Sequence, residues 1–129
     1  MGYKAATIGE LGDGYGFRKV RAPLSITAFG ANVIVMAPGT EGFSHYHDVQ
    51  DELYFVHKGT ARFVVGDDVF DVGEGGLVHV ESTTHRKFSN IGDGDLVILA
   101  IGGKDGYIER DGHLVDPADA ERRAAFGKG

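Results

Sequence analysis

The sequence contains no cysteine. Disulfides and thiolate chemistry, catalytic or metal-binding, are therefore excluded. Proline is scarce, with 3 in 129 residues. No apolar run approaches the length of about 20 residues that a membrane-spanning helix needs. The opening stretch MGYKAATIGELGDGYG has no apolar segment of the kind that directs export, so a cytoplasmic protein with no membrane partner is expected. Basic charge is the minority sign: 13 Lys and Arg against 19 Asp and Glu give a net charge of −6. That balance and the absence of a basic patch argue against nucleic acid or an anionic membrane as a partner.

What is abundant is glycine, 21 residues, and an ordinary globular share of hydrophobic side chains, 42%. The length fits one domain with a proper core. The glycines punctuate short apolar runs and form no repeat, as expected of tight turns between strands.

Taken in order, residues 1–16 read as a turn or loose arm. Gly12, Gly14 and Gly16 resemble a phosphate loop only superficially, since no strand precedes them and no helix follows. FRKVRA predicts an edge strand that Pro23 interrupts, so residues 1–24 are taken as an N-terminal arm with an edge strand. From Ser25 to Gly129 the pattern is that of one barrel domain. SITAFG and ANVIVMA are β-rich and end at Pro38-Gly39. TARFVV and DVFDV flank Gly66-Asp67, a two-residue hairpin signal. LVHV, HRKFSN and LVILAIG follow as strands. GYIER and HLV flank Asp111-Gly112, which predicts a second hairpin. The only predicted helix is terminal, with Asp116 as its N-cap and Pro117 at its first position, running through ADAERRAAF to Gly127. Short strands at regular spacing with one terminal helix predict a sandwich or barrel.

Within Gly39–Gly59, His45 and His47 are two apart and Glu52 opens the run ELYFV. Side chains two apart on a strand share a face, so the two imidazoles would stand side by side. If the two strands pair across the HDVQD turn, Glu52 returns beside them. Two imidazoles and a carboxylate on one face are the ligand set of first-row divalent metals. A His-x-His also arises as surface residues or as hydrogen-bonded core residues. The glutamate at hairpin distance, and the lack of similar clustering among the six histidines, favour a site.

These residues resemble the first motif of the cupins, small β-barrels of jelly-roll type. The pattern G-x5-H-x-H-x3–4-E-x6-G is filled at each position by Gly39, His45, His47, Glu52 and Gly59. The likeness runs from about Ser25 to Ile101. It implies an all-β cupin jelly-roll barrel with a short C-terminal helix, a divalent metal (Fe, Mn, Ni or Zn) on His45, His47 and Glu52, and a homodimer. The second motif, G-x5-P-x-G-x2-H-x3-N, departs. Laid from Gly75 without gaps, it places Arg86 where the family has its fourth metal ligand, a histidine, and ends correctly on Asn90. A one-residue slip would bring His85 inside but would also turn Lys87 in and Phe88 out. Burying Phe88 and solvating Lys87 costs less, so Arg86 is expected inside.

An arginine stays protonated and cannot coordinate a cation. Two outcomes follow. Either His45, His47 and Glu52 hold a metal with open positions and Arg86 clamps a carboxylate or phosphate, or Arg86 pairs with Glu52 in a metal-free pocket. Tyr54 shares the face of Glu52 and is expected to line the cavity as a second substrate contact. His79 is left open, His57 is expected at a surface or subunit contact, and His113 has no partner in sight. The leading expectation is a metal-dependent enzyme, of dioxygenase or isomerase type, on a small anionic molecule. The competing one is a metal-free anion-binding or sensor protein, and a third is a purely structural barrel.

Overall fold

Where apolar residues alternate, strands form, and their parity decides what each side chain meets. The computed structural model of the chain describes residues 2–127. Its strands are β1 (Gly16–Lys19), β2 (Gly30–Met36), β3 (His45–His47), β4 (Asp51–Lys58), β5 (Ala61–Val65), β6 (Asp68–Val72), β7 (Leu77–Val80), β8 (Arg86–Asn90), β9 (Leu96–Gly103) and β10 (Gly112–Leu114). A 3-10 turn over Pro117–Asp119 leads into the helix α1 (Ala120–Gly127). The strands form two antiparallel sheets of five, in the orders β1-β2-β9-β4-β7 and β10-β3-β8-β5-β6. Among the described residues no helix is long and apolar enough to cross a membrane.

The core lies between the sheets. Ile34, Met36, Tyr54, Val56 and Ile98 from one face meet Phe63 and Phe88 from the other. In β8, Arg86, Phe88 and Asn90 are buried while Lys87 and Ser89 are half-buried, so Arg86 occupies the inward register expected from Gly75–Asn90. Asn90 earns its interior place by three bonds: its Nδ2 donates to Met36 O and Gly94 O at 2.9 Å each, and its Oδ1 accepts from Gly92 N.

Of the two readings of residues 1–16, a turn or a loose arm, the turn holds at residues 8–11. Thr7 and Glu10 cap each other around a 3-10 turn at Ile8–Leu11. Ile8 and Leu11 then pack with Leu24 and Ile26 over Ala31, Val33 and Val35 on the outer side of the first sheet. This second layer explains why LVILAIG in β9 lacks alternation: both of its faces are covered. It also overrides the strand expected for SITAFG. That segment turns, with Ser25 at φ 57°, so that Leu24 and Ile26 reach the sheet.

Gly66-Asp67 makes the expected hairpin between β5 and β6. Asp111-Gly112 does not make one. Asp111 is buried, and its carboxylate accepts from Val49 N at 3.0 Å and Gln50 N at 2.8 Å. The chain then continues as β10 alongside β3, with Gly112 opposite His47. A Cβ on Gly112 would lie 3.1 Å from the His47 ring, so the glycine leaves room for the imidazole. A second close approach falls at the end of the first motif, where Gly59 has φ 88° and an added Cβ would sit 2.7 Å from Asp95 O.

Asp111 thus pins the turn between β3 and β4. Burial pushes its carboxyl pKa up, but the N–H groups of Gln50 and Val49 outweigh that and leave it below the ordinary aspartate value. A lowered folded-state pKa contributes stability that is full above the unfolded value, about 4, and is lost as pH falls through the folded value. Asp111→Ala is therefore expected to lower stability by about 2 kcal/mol at pH 7. Urea unfolding from pH 7 into acid checks it: the gap from the parent should narrow as pH falls, and a variant as stable as the parent at pH 7 would contradict the assignment.

Candidate metal centre

Glu52 does not reach the histidines by hairpin pairing. β3 pairs with β10 and β8 in one sheet, whereas β4 pairs with β9 and β7 in the other. The turn at residues 48–50 carries the chain from sheet to sheet, and the three side chains meet across the interior. His45 and His47 share the inner face of β3, with ring centroids 5.3 Å apart and near-perpendicular planes. Glu52 Oε1 lies 2.9 Å from His47 Nε2 and 3.4 Å from His45 Nε2. One ligand atom from each of the three falls within 4.8 Å of the others. Two donors bound about 2.1 Å from one ion at right angles stand about 3 Å apart, so these separations suit a shared cation.

The donors are set up for it. His47 Nε2 is buried without a hydrogen-bond partner, although it faces the Glu52 carboxylate. On the far side of the ring, Nδ1 meets the Gln50 amide at 3.0 Å and Asp111 Oδ2 at 3.8 Å. In the structure the Gln50 amide nitrogen faces Nδ1, so a metal on Nε2 requires the amide to turn and take the Nδ1 proton on its oxygen. Burial pushes the Glu52 carboxyl up, but the His45 and His47 imidazoles that face it outweigh that and hold it well below the usual carboxylate range. It is thus ionised at neutral pH. Tyr54 donates its hydroxyl to Glu52 Oε1 and sits 3.4 Å from His45 Nε2. Burial and the Glu52 charge push the phenol well above its ordinary value, so it keeps its proton.

Arg86 stands directly opposite His45 in the β3–β8 pair, on the same face. It is fully buried, and its Nη2 donates to Glu81 O at 2.8 Å. Its Nη1 is 3.8 Å from Glu52 Oε1, too far for a hydrogen bond. Nε and Nη1 have no partner among the described residues. The guanidinium is therefore a buried positive charge behind the carboxylate. It is not among the residues that border the cavity.

That cavity, about 420 Å³, opens between the sheets. His45, His47, Glu52 and Tyr54 lie on its wall beside Ile34, Met36 and Phe88. Part of the wall had no counterpart in the sequence reading. Phe17 of β1, Phe43, and Arg122, Arg123 and Phe126 of α1 all border it. Phe126 meets Phe17 and Phe43 edge-on at 5.3 and 6.0 Å. The signal was Phe126 itself, a lone aromatic in a helical run otherwise of alanine and charged residues.

The remaining histidines take no part in that group of donors, though His113 also borders the cavity. His85 is exposed and stacks on Tyr46, whose other neighbour is His113. His113 does have a partner, Asp48, at 2.7 Å. His57 is exposed as expected, and His79 points outward within 3.6 Å of Asp51 while Val80 faces the core.

Residues 32–102, over half of the 129-residue chain, match the family model described as Cupin domain. An uncharacterised protein of Methanocaldococcus jannaschii is 26% identical over 65 residues, 50% of this chain and 52% of that protein. The matched stretch thus spans about half the length of that relative. Among solved structures, a cupin protein from Bacteroides fragilis superposes with a TM-score of 0.71 at 17% identity, covering 84% of this chain and 90% of that one. A sugar phosphate isomerase of the cupin superfamily from Silicibacter pomeroyi gives 0.65 at 17%, covering 79% and 76%. Oxalate decarboxylase of Bacillus subtilis, a protein with Mn(II) centres, gives 0.65 at 20%, covering 80% and 29%. At these identities the likeness to solved structures is one of fold. The family match encloses His45, His47, Glu52 and Arg86, the two sheets have the jelly-roll order, and the chain belongs to the cupin family.

Proposed function

We propose that this cupin is a metal-dependent enzyme acting on a small anionic molecule, of dioxygenase or isomerase type. The observation that carries the proposal is the convergence of His45, His47 and Glu52, with one donor atom each inside 4.8 Å, on the wall of a 420 Å³ cavity. Those three would hold the ion as a two-histidine, one-carboxylate face. Such an ion, of the Mn, Fe, Ni or Zn kind, supplies Lewis acidity toward a substrate oxygen. Manganese in one cupin of similar fold is in keeping with this set.

The chain's own groups divide the work. Glu52 stays ionised and accepts a hydrogen bond from the Tyr54 hydroxyl. Tyr54, protonated and on the cavity wall, offers the bound molecule a hydroxyl beside the metal face. Arg86 lies outside the wall, so it acts on a substrate through Glu52 and the field of its charge. It also lowers the affinity of the site for a cation, by like-charge repulsion in a poorly screened interior. The same guanidinium is what favours the second reading, a metal-free anion-binding cupin in which Arg86 balances Glu52.

Metal analysis of protein purified without chelator separates the two. The proposal expects a divalent ion near one equivalent, lost in His47→Ala. Less than about a tenth of an equivalent, with no rise in thermal midpoint on adding Mn²⁺, Fe²⁺, Co²⁺, Ni²⁺ or Zn²⁺, would favour the metal-free reading.

Residue 86 supplies a sharper comparison. Arg86→His replaces a repelling charge with a fourth donor at the face of His45. Zn²⁺ or Ni²⁺ is expected to bind at least about tenfold more tightly, which calorimetric titration of both proteins in one buffer reads directly. Arg86→Ala should leave metal affinity level or raised. Weaker binding in both variants would mean that Arg86 supports the site and does not oppose the cation.

A further inference from the structure

The acidic chain needs a local cation if an anion is to enter its cavity, and α1 brings two to the wall. Arg122 is already committed. Its Nη1 donates to Glu41 O at 2.7 Å, and its Nη2 reaches Gly42 O and Asp119 Oδ1 at 3.1 Å each. Its guanidinium also lies 5.0 Å from the centre of the Phe43 ring. These contacts pin the helix to the loop before β3. The nearby carboxylate on the wall, Glu41, is taken by Lys87 at 2.8 Å. Arg123 borders the same cavity, is exposed, and among the described residues makes no hydrogen bond or ion pair. Beside the helix the wall is aromatic, with Phe17 and Phe43 against Phe126, and its other polar members are Asn32, Thr40 and His113.

We propose that Arg123 is a specificity-determining residue that selects an amphipathic anion, a carboxylate or phosphate carried on an aromatic or branched hydrocarbon body, with the anionic group at α1 and the body against Phe43 and Phe126. The inference rests on the reading that a small anionic molecule occupies this cavity, and it names the end of the cavity that receives the charge. A guanidinium offers a planar pair of donors to either oxyanion, and such charge-assisted bonds are among the stronger polar contacts. The apolar wall selects against small hydrophilic anions, which would gain nothing from burial there.

The test uses benzoate, phenyl phosphate and the neutral benzamide as probes in calorimetric titration, on the protein as purified and after EDTA treatment. The parent should bind at least one of the two anions about tenfold more tightly than benzamide. Arg123→Ala should lose that preference while its benzamide affinity stays level, and Arg123→Lys should keep part of it. The loss should be the same after EDTA, because Arg123 is not a metal ligand. An Arg123→Ala variant that binds the anion as tightly as the parent, or a parent with no anion preference, overturns the proposal. Anion preference in a protein that takes up no metal leaves Arg123 assigned and removes the metal-dependent reading. Metal uptake with no effect at Arg123 does the reverse.

Discussion

A carboxylate held inside a protein needs donors or positive charge around it, and Glu52 is the point on which this structure turns. Burial alone would drive it to its neutral form. The two imidazoles reverse that, with the Tyr54 hydroxyl bonded to Glu52 and the Arg86 guanidinium 3.8 Å behind. The Tyr54 phenol keeps its proton because it is buried and because Glu52 beside it is charged. His47 is left with an unpartnered Nε2 because the carboxylate faces it without a well-formed hydrogen bond. A divalent ion would satisfy both atoms at once, which is why the donors look assembled for one.

The rest of the architecture serves that meeting of two sheets. Glu52 and the histidines belong to different sheets, so their approach is set by sandwich packing and by the turn at residues 48–50. Asp111 holds that turn through the Val49 and Gln50 amides, Gln50 orients the His47 ring, and Gly112 leaves space for it. A carboxylate more than sixty residues away in the chain therefore positions the first motif. On the opposite side of the first sheet, the packing of Ile8, Leu11, Leu24 and Ile26 stiffens β2 and β9, against which β4 and Glu52 are paired.

Much of this was legible in the sequence where local pattern and global fold agree. The spacing of His45, His47 and Glu52 marked the three donors that converge, and the parity of Arg86, Phe88 and Asn90 marked the inward register, since a slip would have buried Lys87. Two-residue turn chemistry succeeded at Gly66-Asp67, where nothing competes with it. It failed at Asp111-Gly112, where the aspartate is recruited by distant amides, a tertiary demand with no local signature. The second apolar layer was hidden for a related reason. SITAFG has strand-like composition, yet its Ile26 is used to cover a sheet, and composition does not distinguish the two uses. The route by which Glu52 reaches the histidines was also beyond a periodicity argument, because parity fixes a face and not a partner strand.

The central claim is that His45, His47 and Glu52 ligate one divalent ion while Arg86 stands beside it uncoordinated. Crystals of the metal-loaded protein, measured at the absorption edge of the ion, test this most directly. The account predicts a single anomalous peak about 2.0–2.2 Å from His45 Nε2, His47 Nε2 and a Glu52 carboxylate oxygen, with the Arg86 guanidinium outside the coordination sphere. A map with no peak there, and with Arg86 closed onto Glu52 in a direct hydrogen-bonded pair, would contradict it.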